Sequence, residues 1–577
     1  MKKNEFLKVR AFIASLIFAF ASISAQSNEQ SFSLGKTNEF LQSIVTQSEN
    51  HKNILTLPIS EQHSLQSVIN FTKKNTDGSI HLEGEIVNDS NGTFSLNIKN
   101  NKLEGRIILL KSKKAYLYHS DNQSNAFVKN IDINKIICTD LPTPPSQKIS
   151  KNNVSVQSDV MNLQSLSGAA GCLLLDFDGH TVPAGSGWNG GNPIVAIHSG
   201  MNEEQIIETW EIVAEDFRPF NLNVTTNEAV FNQYPQNKRR RCLITPTDLA
   251  YPGGAGISLI NSFSSMSDLP CWVFTSAAGT SGKIVGEIAS HELGHTLGLN
   301  HDGQAATTYY AGHGNWAPIM GMGYYKNVTQ WSKEEYANGN NHEDDLAVIT
   351  NETNGVGYRV DLHGNTHSTA TPVSISGTTI IEKQGVINYT NDIDMFHLSL
   401  AAASNLSLQV KGAQRHSNLL IKVLIYKGQS MIISSYSGNP MNLSEPININ
   451  MHLDAGDYYF SISSIGEGTP DTGYSTYGSL GFYTISGTLS QNFEKPVEKD
   501  KISIYPNPVK DDLTIKILDN EKYEIILTNP SGNIFYKGNT SGNSVTIPVS
   551  DKPVGTYFVI LKNRQTGIRK SYTVIKK

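Results

Sequence analysis

Three histidines and a glutamate stand at spacings suited to metal chemistry in the run His291-Glu292-Leu293-Gly294-His295-Thr296-Leu297-Gly298-Leu299-Asn300-His301-Asp302. On a helix, residues i and i+4 lie one turn apart on the same face. His291 and His295 can therefore offer two imidazoles to one metal, with Glu292 beside them. Gly298 can adopt a positive φ and turn the chain sharply, which brings His301 to a third corner. Three neutral imidazoles leave one tetrahedral position of a Zn²⁺ ion open for water, the arrangement of a catalytic rather than a structural zinc. Such a zinc lowers the pKa of its water to about 7 and polarises a scissile carbonyl. Glu292 is then the expected general base, taking the water's proton and later passing it to a leaving amine.

These residues must ride on a helix, and the spacing predicts one over residues 282–297. A second is expected over 202–217, where Ile206, Ile207, Trp210, Ile212, Val213 and Phe217 fall largely on one face behind the first-turn acids Glu203 and Glu204. The apolar run Cys172-Leu173-Leu174-Leu175-Asp176-Phe177-Asp178 reads as a buried strand. Further strands are expected at residues 222–225, 242–245, 256–260 and 271–275, giving an αβ-mixed block over residues 169–355.

Composition sets the frame around that block. With 38% hydrophobic residues and 47 glycines in 577, the chain is globular, and its length implies several cores. Its 46 basic and 52 acidic residues give a net charge of -6 with no long basic run, which argues against nucleic acid as a partner. The apolar stretch 11–25 follows Lys2, Lys3, Lys8 and Arg10 and is shorter than the roughly 20 residues that span a bilayer. Residues 1–25 therefore read as a secretory signal peptide, and the mature chain is expected to be exported without a transmembrane anchor. Residues 26–150 read as a β-rich prodomain, with strand-like runs on either side of the turn signal Asn100-Asn101. Residues 151–168 have linker composition, and Lys148 and Lys151 would be open to a processing protease. Short alternating runs over 360–493 favour a β-sandwich, a linker at 494–501 follows, and a last alternating module fills 502–577.

The histidine segment resembles the long zinc motif of metzincin metallopeptidases, and Asp302 directly after the third histidine resembles the adamalysin or reprolysin branch. The resemblance implies a methionine turn beneath the metal, for which Met320 in Ala317-Pro318-Ile319-Met320-Gly321 is the first choice. Met322 is the rival, because it would place Tyr324 two residues later, as in members whose tyrosine contacts the zinc. It also implies that residues 253–260 form the cleft's upper rim and pair with an extended substrate. Asp302 is expected either to orient the turn or a ligand, or to serve as an ordinary helix-end residue.

Of the four cysteines, Cys242 and Cys271 both start expected strands and are a candidate disulfide. Cys138 precedes the linker, where a thiolate could fill the open zinc position, as in matrix-metalloprotease and adamalysin prodomains; a disulfide to Cys172 or an inert thiol are the alternatives. The run Asp392-Ile393-Asp394-Met395-Phe396 and the strands after it resemble the bacterial pre-peptidase C-terminal domain. Asp392 and Asp394 are candidate Ca²⁺ ligands there, or else solvated turn residues. The segment opening with Ile502-Ser503-Ile504-Tyr505-Pro506-Asn507-Pro508 resembles the type IX secretion C-terminal sorting domain.

Taken together, the expected fold class is multidomain: an α+β metzincin catalytic domain, with a mixed sheet and an active-site helix, flanked by a β-rich prodomain and two all-β sandwich modules. The expected function is a secreted zinc metalloendopeptidase made as a zymogen, with one catalytic Zn²⁺, protein or peptide substrates, and the type IX secretion machinery as partner. The alternative is a surface adhesin or carbohydrate-binding protein on a non-catalytic zinc scaffold, which would need the three ligands but no base.

Overall fold

In the computed structural model the described residues are 31–137, 159–490 and 502–577, apart from 51–52, 77, 88, 90–91, 101, 519–520, 541 and 566. The expected signal peptide, Cys138, the first half of the processing region and the linker at 494–501 lie outside them.

Residues 31–137 form one eight-stranded antiparallel sheet with the helix Thr37–Asn50 against it. The two runs about Asn100 pair as strands Thr93–Lys99 and Lys102–Leu109, and Asn100 takes the left-handed φ of 50° that the tight turn needs. Alternate residues Phe94, Leu96 and Ile98 point inward, as the period of a half-buried strand demands.

The histidine-bearing block is built on a five-stranded sheet in the order Leu222–Thr225, Gly171–Asp176, Arg239–Thr245, Cys271–Phe274 and Gly256–Ile257. The first four strands run parallel and the last antiparallel. The helix Glu203–Asp216 starts at Asn202, whose side chain accepts from the Gln205 N–H while Gln205 reaches back to the Asn202 N–H, a reciprocal cap. It packs on the helix Gly282–Thr296, and Gly286 permits the approach, since a Cβ there would stand 2.9 Å from Ile212.

The expected fold class is corrected by the whole. Among the described residues strand makes up 44% and helix 13%, with six α-helices, so the molecule is mostly β and is not organised around an α+β catalytic domain. Periodicity correctly foretold the two amphipathic helices, but they are the only helices of the block longer than five residues. Residues 298–355 are instead loops, a two-stranded pairing of Trp316–Pro318 with Val328–Gln330, and the short helix Asp345–Ile349.

Residues 371–490 form two five-stranded sheets packed face to face, as the alternating runs predicted. Their core is continuous with that of the block: Phe396, Val423, Phe460 and Tyr483 belong to the same cluster as Leu293, Leu297 and Met320. Residues 502–577 form a three-stranded and a four-stranded sheet around their own core.

Candidate metal centre

The helix Gly282–Thr296 places His291, His295 and Glu292 in the interior, all nearly inaccessible. The ring nitrogens of His291, His295 and His301 come within 4.8 Å of one another. Backbone carbonyls hold the Nδ1 atoms: Ile319 O at 3.0 Å from His291 and Leu299 O at 2.7 Å from His295. Each Nδ1 therefore carries the proton, which leaves the two Nε2 lone pairs facing each other 3.0 Å apart. Burial pushes His291 down to about 4, and His295 and His301 are pushed well below their usual value by burial and by the neighbouring rings. Three imidazoles whose ring nitrogens converge, two of them with their lone pairs turned inward, fit a Zn²⁺ ion.

The turn that delivers His301 is as the spacing required. Gly298 has φ 111°, and a Cβ there would meet Asn261 Oδ1 at 2.8 Å. Asn261 N–H in turn donates to His295 O at 3.0 Å and Phe263 N–H to Thr296 O at 2.8 Å, tying the helix end to the loop after the rim. Of the rival methionines, Met320 lies beneath the helix: it is fully buried, and its Sδ would stand 2.6 Å from a Cβ at Gly294. Met322 is only partly buried at the margin of the core. Tyr324 is buried, with its ring centroid 6.4 Å from that of Tyr325, and the ring of Tyr309 stands 4.3 Å from the His301 centroid and 5.9 Å from His291.

Glu292 is held from the rim. Ser258 Oγ donates to its Oε2 at 2.7 Å, and Gly256 leaves room for it, since a Cβ at that position would meet Oε1 at 2.6 Å. From behind, Asp216 accepts from Ser290 Oγ at 2.5 Å, one residue before His291. The segment after Ile257 is itself partnered by the end of the N-terminal region: Ile137 bridges Leu259 antiparallel, and Ile260 N–H donates to Ile136 O at 3.0 Å. Cys138, the next residue, lies outside the described residues.

The expected Cys242–Cys271 disulfide is corrected: Cys172, Cys242 and Cys271 are buried free thiols. Cys242 and Cys271 are in-register neighbours on adjacent parallel strands. Side chains so placed run side by side at the strand spacing of about 4.8 Å rather than converging to the roughly 3.8 Å between Cβ atoms that a disulfide needs.

Asp392 and Asp394 are joined by Asp361 from the segment before the sandwich, with carboxylate oxygens within 4.8 Å of one another. Asn388 N–H donates to Asp392 at 3.0 Å and the Tyr483 hydroxyl to Asp394, while one oxygen of each aspartate is buried without a hydrogen bond. Burial pushes Asp392 up to about 6 and Asp394 up to about 8, and the acid neighbours add to both. An all-oxygen cluster of this kind suits Ca²⁺. A third grouping, Asp176, His180 and Glu228, is already occupied by a cation, because the Arg241 guanidinium pairs with both of its acids.

Sequence reasoning missed Ser258, Tyr309 and Asp361. Ser258 lay inside the expected rim, but nothing in its neighbours marked it out, and the other two sit in loops without periodicity.

Residues 503–576 match the family described as the secretion system C-terminal sorting domain. In that module Asn507 of the opening signal bonds the last strand at Thr573 O, 2.8 Å, and Ile575 N–H, 2.9 Å. No curated protein matches the chain. Among solved structures, the pre-peptidase C-terminal domain of collagenase from Bacillus anthracis is 13% identical, covering 21% of this chain and 94% of that one with a TM-score of 0.15. PorZ, a surface component of the type IX secretion system of Porphyromonas gingivalis, is 18% identical, covering 18% and 15% with a TM-score of 0.13. The β-glucuronidase of Faecalibacterium prausnitzii is 11% identical, covering 32% and 36% with a TM-score of 0.12. At these scores the structural likenesses carry no argument about this chain. The sorting domain, however, makes it an exported protein, carried to the cell surface or released, and a client of the type IX secretion machinery. Among the described residues no helix is long and apolar enough to cross a membrane.

Proposed function

We propose that the chain is a zinc-dependent endopeptidase acting on extracellular proteins or peptides and made as a zymogen. The observation that carries this reading is the convergence of His291 and His295 Nε2 at 3.0 Å, with both Nδ1 atoms tied to carbonyls and Glu292 alongside. Zinc held by His291, His295 and His301 supplies a Lewis acid and an acidified water. Glu292 is the proton carrier, accepting at its carboxylate and returning the proton to the leaving amine, and Ser258 fixes its orientation. The rim around Leu259 binds an extended peptide by strand pairing, and Ile136–Ile137 hold that place in the zymogen. The rival reading, a non-catalytic scaffold, gives Ser258 and Gly256 no reason to position a carboxylate.

Calcium at Asp361, Asp392 and Asp394 is part of the same proposal, with a role in stability rather than in the reaction. The deciding experiment is Glu292→Gln in the processed enzyme. We expect about one zinc per chain, by elemental analysis, with peptide hydrolysis down by roughly 10²- to 10⁴-fold, the range for lost general acid-base catalysis. Hydrolysis near the unaltered rate would refute the assignment.

A further inference from the structure

The two faces of the five-stranded sheet are covered by different parts of the chain. Along its strands Ile244 and Val273 join the core beneath the two long helices, whereas Leu243, Trp272 and Phe274 point to the opposite side, as strand alternation requires. There they pack with Val182, Trp188 and Ile194 of the block and with Ile108, Ala115, Ile133, Ile136 and Ile137 of the N-terminal region. The block alone does not complete that cluster.

Beside it, the loop 185–192 is built to the surface of the N-terminal region. Gly185 N–H donates to Gly191 O at 2.9 Å and closes the loop. Three hydrogen bonds then join it to the N-terminal sheet: Asn70 Nδ2 donates to Gly190 O at 3.0 Å, Gly187 N–H to Glu83 at 2.9 Å, and Asn192 Nδ2 to Glu85 at 3.0 Å. Glu83 is 2% exposed in this contact and also accepts from His81 Nε2 at 2.8 Å. A Cβ at Gly185 would stand 2.2 Å from the Phe71 ring, and one at Gly190 2.4 Å from Glu85 Cγ. At Gly187 and Gly191 the nearest atoms, each at 2.7 Å, belong to Arg106 and Glu83. The loop's bare backbone is therefore fitted to the N-terminal sheet rather than to its own block.

We propose that residues 31–137 stay on the block as a non-covalent second subunit once the chain is cut between residues 138 and 158, with the loop 185–192 as their anchor. Apolar burial and buried hydrogen bonds hold two surfaces together whether or not a peptide links them. Departure of the N-terminal region would bare Trp188, Leu259 and the other apolar side chains of that cluster to water. Each piece also keeps a core of its own, so a cut in the connecting segment unfolds neither. The processed protein is then a two-chain complex whose N-terminal chain completes the sheet's outer face. This association stands whether or not the chain is a peptidase.

The test uses the full chain with a recognition site for an unrelated, site-specific protease placed between residues 143 and 157. After cutting, both fragments should elute from gel filtration as one species at micromolar concentration without denaturant. Elution as two separate fragments overturns the proposal. Gly190→Val on the loop and Glu83→Ala on the sheet, each in the cut full chain, should speed dissociation after dilution by at least about tenfold, the effect of losing one well-made buried contact. If Gly190→Val fails to fold, Glu83→Ala, which removes atoms without adding any, carries this arm. Dissociation of Glu83→Ala at the unaltered rate overturns the loop as the anchor. Neither readout depends on zinc or on hydrolysis, so the fate of the peptidase reading is decided separately.

Discussion

The two β-rich regions that flank the histidine block are attached to it in different ways. Residues 31–137 have a core of their own, with Leu57, Leu96, Ile107 and Val128 at its centre. They lend Ile108, Ala115, Ile133, Ile136 and Ile137, with partly buried Leu110, Leu117 and Ile131 beside them, to a second cluster shared with Trp188, Ile257, Leu259 and Trp272. The sandwich has no separate core: its interior and the underside of the histidine helix are one cluster. Buried polar bonds cross the same seam. Asn418 donates to Asp216 at 2.7 Å, Gln330 to Asn418 O at 2.6 Å, Phe482 N–H to Glu215 at 3.2 Å, and Leu346 N–H to the Tyr477 hydroxyl at 3.0 Å. A region with its own core can be cut away and leave two folded pieces. A region that shares one core cannot, because cutting exposes the apolar surface of both parts at once.

Truncation breaks this comparison most directly. A chain ending at residue 359 should lose cooperative unfolding and most of its solubility, whereas residues 31–137 expressed alone should melt as a folded unit. Calorimetry on the two pieces checks it, and a sharp transition in the first would show that the sandwich is an appendage after all.

Single residues at the seam refine the point. Asn418→Ala removes the amide that satisfies Asp216 and should cost about 1–3 kcal/mol, the penalty for a buried group left unsatisfied. Urea melts of the full chain measure it, and a loss within error would mean that water replaces the amide.

The seam should also be sensitive to pH. Burial pushes the Asp216 carboxyl up to about 8, and Glu287 beside it acts in the same direction. The unfolded group titrates near 3.8, so between these values the folded chain holds a proton that the unfolded chain has released. Its contribution is fully present below about pH 4 and is lost as pH rises through about 8. Asp216→Asn, close in shape to the protonated acid, should flatten that decline, and an unaltered pH slope would remove Asp216 as its source.

The smallest effect is expected at the solvent edge of the same seam. Arg415 pairs with Glu204 and Glu211, but it is part-exposed, as is Glu211, and Glu204 is exposed. Arg415→Ala should cost at most about 1 kcal/mol, as exposed ion pairs do. A loss matching that of Asn418→Ala would show that the seam is held at its rim rather than in its core.

The histidine helix, its reciprocally capped neighbour and the turn at Gly298 could be read from residue order, because each depends on contacts within a few residues. The i, i+4 spacing sets His291 and His295 on one face whatever surrounds them, and only a residue tolerant of positive φ serves at 298. Strand alternation likewise revealed the flanking sheets, and the sorting signal at Tyr505-Pro506-Asn507-Pro508 is a local string. Tertiary structure alone decided the rest. It brought Ser258 to Glu292, Tyr309 to His301, Asp361 to Asp392 and Asp394, and it set Cys242 beside Cys271 without joining them. It also left the chain mostly β and merged the sandwich with the block. Each of these pairings joins residues distant in sequence, so which of them form depends on how whole surfaces bury one another, a property that no local period encodes.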